Sequence, residues 1–183
     1  MTSYLESAIK QFEYYKSLGD KTISQLSFEN LKQEFAKDSN SIAIVVKHMV
    51  GNMLSRWTNF LIEDGEKEWR QRDNEFIDTY NSKEDIINSW RKGWNCLFNA
   101  LKTLSENDLD KIVYIRNQGH TVTEAINRQM MHYAYHTGQI VFLGKLIKGK
   151  DWESLSIPKG KSKDYNLEKF SKDKGKRHFT DDL

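Results

Sequence analysis

The sequence predicts an all-α protein: an antiparallel four-helix bundle with a short extended excursion before the fourth helix and a polar C-terminal tail. Four stretches repeat apolar residues at spacings of three and four, only one proline interrupts 183 residues, and strand candidates are few. That spacing matters because a helix turns once in about 3.6 residues, so such side chains share one face and can be buried together. The length suffices for one well-buried core and is short for two. One domain is therefore expected over residues 1–155, followed by a basic, extended or frayed tail over 156–183.

The first helix reads over about residues 3–26, with Leu5, Ile9, Phe12, Tyr15 and Leu18 on one side and Gly19 as a point of interruption. A polar connection over 27–40 follows. The second helix reads over 41–62, placing Ile42, Val45, His48, Met49, Asn52 and Phe60 along a broad face, and stops before the Asp64-Gly65 turn signal. Ser82 suits the N-cap of the third helix, with Asp85 three positions on as a carboxylate variant of the capping box. Its inward face is Ile86, Trp90, Trp94, Leu97, Leu101 and Leu104. Residues 111–116 alternate weakly before Asn117-Gln118-Gly119, which marks the extended excursion and its turn. The fourth helix should start near Thr121 or Thr123 and end at Gly149 as a C-terminal cap, with Ile126, Gln129, His132, His136, Ile140, Leu143 and Ile147 as its seam.

Composition excludes several classes of function. Hydrophobic residues are 38% and charged residues 30%, a soluble globular mixture rather than a disordered or fibrous one. The longest strictly apolar run, Ile42 to Val46, is far below the roughly 20 residues needed to cross a bilayer. The start MTSYLESAIK has no basic region followed by an apolar one, so no secretory signal is read. With Cys96 as the only cysteine there is neither an internal disulfide nor a Cys-rich zinc site, and a cytoplasmic location is expected. The net charge of +2 is uneven: residues 159–177 hold eight Lys/Arg against Asp164, Glu168 and Asp173. No aromatic ladder interleaves these cations, so a solvated tail is expected and nucleic-acid binding is disfavoured.

His132 and His136 are four residues apart, about 40° in azimuth and 6 Å in rise on a helix, so both imidazoles present to one face. Gln139 falls on the same face three residues later, and His48 occupies an inward position of another helix. A buried imidazole must be hydrogen-bonded or ligated, since an unsatisfied polar group in a core costs roughly 1–3 kcal/mol. Two readings meet that need: histidines bonded one by one, or a single metal ion shared by three. Tyr133 rather than Glu follows His132, so the HExxH arrangement of metalloproteases is missing, and no repeated ExxH pairs suggest a di-iron carboxylate site. A mononuclear three-histidine site with open positions for water, a thiol or a substrate oxygen is what the pattern allows. Imidazole ligands suit zinc, nickel or iron, and geometry would have to choose among them.

Three blocks resemble the DinB-like superfamily, and more narrowly its DUF1572 branch: IAIVVKHMVGNMLSRWTNFL around His48, INRQMMHYAYHTGQIVFLGKLIKG around the histidine pair, and WESLSIPKGKS after the last helix. The resemblance covers about two-thirds of the chain. It implies that His48, His132 and His136 stand at the three metal-ligand positions, and that homodimers form through helix faces. It also implies kinship with thiol-dependent transferases, although fold and site do not fix a reaction.

The enzymatic expectation is a metal-dependent transferase joining a low-molecular-weight thiol such as bacillithiol to a small-molecule electrophile. A nearby divalent cation favours the thiolate, the nucleophilic form. The alternative is a non-enzymatic metal-binding stress-response protein. Asn52 and Gln139 would hydrogen-bond a histidine or orient a ligand on the ion. Arg56 and the tail lysines would hold the thiol's carboxylates or lie in solvent. Cys96 reads as an inert, partly buried thiol with no basic neighbour in sequence. His120 could border the pocket, His178 is read as having no part in it, and Trp57, Trp90 and Trp94 read as core or interface anchors.

Overall fold

Small hydroxyl side chains start each of the long helices. In the computed structural model, which describes residues 3–181, the helices are α1 (Tyr4–Ser24), α2 (Phe28–Lys32), α3 (Ile42–Trp57), α4 (Lys83–Lys102), α5 (Val122–Lys148) and α6 (Ser162–Phe170). Ser3, Ser41, Ser82 and Thr121 precede α1, α3, α4 and α5, and each side chain accepts from the backbone N–H three residues on. Each bond satisfies one of the donors a helix leaves unpaired at its start. Gly149, at φ 56°, closes α5 in a conformation that costs glycine little.

The four long helices pack in a closed order, α1 on α5, α5 on α3, α3 on α4 and α4 on α1. The most enclosed of them is α3, buried on nearly every side. Phe12, Met49, Met53, Trp90, Trp94, Leu97 and Tyr133 fill the interior. The Phe12 ring lies 6.0–6.4 Å from those of Trp57, Trp94 and Tyr133. Each large side chain so enclosed contributes about 1.5–3 kcal/mol through burial. Gly19 does not break α1; it lies against Trp90, where a Cβ would collide with the indole ring. Trp90 Nε1 donates to Asp20 Oδ1 at 2.8 Å, so the core tryptophan is also fixed from the surface.

Between α4 and α5 the extended excursion is an antiparallel hairpin, β1 (Ile112–Ile115) and β2 (Gln118–Thr121), in which Val113 faces His120 and Ile115 faces Gln118. Its two-residue loop is Arg116-Asn117, both at positive φ (54° and 60°), one position before the Asn117-Gln118-Gly119 turn read from sequence. Two left-handed residues give the turn the twist of the strands it joins. Asp64 stabilises that turn by accepting from the backbone N–H groups of Arg116 and Asn117, each at 2.8 Å.

Three boundaries differ from the sequence reading. The polar connection over 27–40 contains α2, started by a reciprocal Ser27–Asn30 capping box. The second long helix stops at Trp57 instead of 62, because Thr58 turns extended and Asn59 takes φ 50°. Of the apolar residues that follow, Phe60 still packs on the core beside Trp57, whereas Leu61 and Ile62 are exposed, Ile62 at 83%. The aperiodic tail contains α6, which buries none of its residues. Beyond it, His178 lies 3.1 Å from Ser7 Oγ and Asp181 pairs with Lys10 at 2.7 Å, so this end of the chain returns to α1. No helix among the described residues is long and apolar enough to cross a membrane.

Candidate metal centre

Helical spacing brings His132 and His136 together on α5, with their Nε2 atoms 3.0 Å apart. The packing of α3 on α5 then carries His48 to the same point: its ring centroid lies 5.5 Å from that of His132 and 4.9 Å from that of His136. The donor atoms of all three lie within 4.8 Å of one another, a cluster that could hold a metal ion. Ligand nitrogens at about 2.0–2.1 Å from a zinc-like ion would stand roughly 3–3.5 Å apart. Small side-chain shifts therefore suffice to bring the three onto one centre.

Hydrogen bonds on the far side of two rings fix which nitrogen faces inward. His48 Nδ1–H donates to Glu75 Oε2 at 2.9 Å, because an ionised carboxylate can only accept. His136 Nδ1–H donates to Gln139 Oε1 at 2.8 Å, while Gln139 Nε2 donates to Tyr135 Oη. Both imidazoles then present an Nε2 lone pair to the cluster, the form a metal requires. Burial, followed by the neighbouring His136 and His48, pushes the His132 imidazole down to about 3. Burial likewise lowers His136, with His48 adding to the effect and the Gln139 bond opposing it. Both are thus held toward the neutral imidazole. With His136 Nδ1–H spent on Gln139, His132 Nε2–H donates to His136 Nε2 across their 3.0 Å contact, and His132 must shift that proton to Nδ1 before its Nε2 can ligate a cation.

Glu75 escaped the sequence reading, as did its partner Arg70. They lie in and beside a single 3₁₀ turn, Arg72–Phe76, that packs on α3. Arg70 grips the carboxylate with two bonds, Nε to Oε1 at 2.8 Å and Nη2 to Oε2 at 3.0 Å. Burial works against the charge on Glu75, but the bonds from His48 and Arg70 outweigh it and hold the carboxyl below its ordinary value. Gly51, on α3, makes this approach possible, since a Cβ there would collide with the Glu75 carboxylate. Phe76 stacks on His48 with ring centroids 5.1 Å apart.

The remaining sequence candidates separate. Asn52 hydrogen-bonds no histidine: its Oδ1 accepts from Tyr133 Oη at 2.9 Å, and Tyr133 in turn accepts from Trp57 Nε1. Arg56 is buried rather than solvated, and donates to Gly65 O and Glu66 Oε2. Cys96 is half-buried on α4, with its thiol toward Met53 O and Thr58, away from the histidines. His120 accepts from Arg128 at 3.0 Å, and Arg128 lines the cleft beside His48 and His132. A cleft of about 660 Å³ lies elsewhere, between the end of α1 and the tail, and no histidine lines it.

The profile of the family described as "Protein of unknown function (DUF1572)" matches residues 1–161. This chain belongs to that family. No curated protein and no solved structure matched it. The DUF1572 match contains all three histidines together with Arg70 and Glu75, and ends before α6. Within this DUF1572 chain, the cluster of His48, His132 and His136 is the group of metal-capable side chains found among the described residues.

Proposed function

We propose that this protein binds one divalent ion, zinc, nickel or iron, through His48, His132 and His136, in a DinB-like antiparallel four-helix bundle, and that the ion serves a thiol S-transferase. The observation that carries the reading is the convergence of three imidazoles from two helices, two with Nε2 freed by an outer hydrogen bond. His48 and His136 each spend Nδ1 on an outer partner and still keep the second nitrogen for the cluster. No fourth side chain joins the cluster among the described residues, which favours open coordination positions over a closed structural site.

When bound, the cation would lower the pKa of a thiol brought to an open position and so supply the thiolate nucleophile. The chain's own part is to hold the three nitrogens in place: Glu75 orients His48 and Gln139 orients His136. His132 and His136 are only half-buried, which leaves a path from solvent. A low-molecular-weight thiol as co-substrate also suits a chain whose single cysteine is half-buried, and the setting proposed for it is the cytoplasm.

The test is metal analysis of protein purified without an affinity tag, comparing wild type with His132→Ala. About one equivalent per chain is expected in the wild type and a small fraction of that in the variant; equal contents overturn the site. For the transferase, metal-loaded protein should conjugate a thiol to a model electrophile faster than metal-free protein. Equal rates across several thiols would favour the non-enzymatic metal-binding alternative.

A further inference from the structure

Next to the histidine cluster the protein concentrates positive charge in a way that metal binding does not require. Five arginines, Arg56, Arg70, Arg72, Arg116 and Arg128, line a cleft of about 220 Å³ that His48 and His132 also line. They come from four separate places: α3, the segment before and within the 3₁₀ turn, the hairpin loop and α5. Two carboxylates pair with them. Glu66 meets Arg56, Arg70 and Arg116 at 3.0–3.3 Å, and Glu75 meets Arg70. Asp64, near enough to Arg56 to feel its charge, is engaged by three backbone N–H groups. Even counting Asp64, five guanidiniums meet three carboxylates. Two positive charges stay uncompensated at the cleft.

The polar valences point the same way. Arg72 and Arg128 have no carboxylate partner among the described residues; Arg72 lies over the Phe76 ring and Arg128 donates to His120. Arg56 is 7% exposed, and its Nε–H is buried with no acceptor. Asn52, 5% exposed, lines the same cleft and spends only its oxygen, on Tyr133. Buried donors without acceptors are rare in folded proteins, and guanidiniums are suited to carboxylate and phosphate oxygens through paired N–H bonds.

We propose that this cleft binds a small dianionic oxyanion group, a dicarboxylate or a phosphate, on a ligand whose other end reaches the three histidines. The assignment deepens the reading given above and rests on it for the ligand's second end. The anion neutralises the two excess charges, while Arg72 and Arg128 supply guanidiniums that have no carboxylate partner among the described residues. The cleft is sized for the charged end of a small molecule, and His48 and His132 in its wall put that end beside the histidine cluster.

Calorimetric titration of the full chain with inorganic phosphate and with succinate, at fixed ionic strength, tests this against an Arg72→Gln/Arg128→Gln double variant, with the metal content of each preparation measured in parallel. Both side chains are exposed, so the exchange leaves the core intact, and thermal melts in anion-free buffer should coincide. At least one probe should bind the wild type saturably at one site per chain. Tighter phosphate binding identifies a phosphate-bearing ligand and tighter succinate binding a dicarboxylate. The double variant should bind at least about tenfold more weakly. Failure of both probes to bind, or equal affinity in wild type and variant, overturns the proposal. A chain that binds the anion through these arginines yet carries no metal overturns the three-histidine reading alone; a chain that carries metal but shows no arginine-dependent anion binding overturns the cleft alone.

Discussion

At the residue scale, the geometry of His48 depends on an atom that is missing. Gly51 lacks the Cβ that would occupy the space of the Glu75 carboxylate, and Glu75 is what orients the His48 ring. Gly51→Ala should therefore displace Glu75 and weaken metal affinity by about 10–100-fold, the usual effect of losing an outer hydrogen-bond partner. Competition against a chromogenic chelator measures it, with circular dichroism to show that the helices persist; unchanged affinity would mean that Glu75 does not tune the site. The histidine pair was legible because a spacing of four puts both rings on one helix face; His48 was legible as an inward histidine, but its place as third partner came from the resemblance. Arg70 and Glu75 were not legible. Their role arises from where an irregular segment rests on α3, and no periodicity encodes that placement.

At the element scale, local chemistry decides where helices begin more clearly than where they end. Thr121 and Glu124 form a reciprocal capping box on α5: Thr121 Oγ1 accepts from Glu124 N at 3.1 Å and Glu124 Oε2 accepts from Thr121 N at 2.8 Å. Thr121→Ala removes one half of it and should cost about 1 kcal/mol in urea unfolding. Metal stoichiometry should not change, since the histidines lie three turns further along; a loss of metal would show that the start of α5 is coupled to the site. The end of α3 was harder to read because apolar residues continue through Phe60, Leu61 and Ile62 after the backbone has already turned at Asn59. A hydrophobic pattern records burial but is blind to a single left-handed residue. The hairpin was visible as a weak alternation, yet its purpose was not. Asp64 fixes the loop, and the loop carries Arg116 to Glu66 at the arginine-lined cleft.

At the scale of the whole molecule, α5 has two working faces. One holds the histidines, and another exposes Met131, Tyr135, Phe142 and Leu146, each 52–69% accessible. Their spacing puts all four within about 60° of azimuth along roughly 22 Å of helix, so they form a continuous apolar stripe rather than scattered exposed residues. Large apolar stripes are uncommon on a monomer surface and are suited to contact with another protein. We propose a second copy of the chain as the occupant, as expected from the sequence; a pair of α5 helices packed stripe to stripe would bury equivalent residues on both chains. Tyr135 ties this face to the histidine cluster, because it accepts from Gln139, which holds His136. A homodimer formed here would therefore brace one ligand position from outside. Light scattering should give twice the 21.6 kDa chain mass for the wild type, and Phe142→Glu should give the chain mass with its helical content retained. A wild type that stays monomeric at high concentration, or a dimer indifferent to Phe142→Glu, rules out this face as the interface. If the stripe does pair, metal affinity should also fall with the dimer, through the loosened Tyr135–Gln139–His136 chain of bonds.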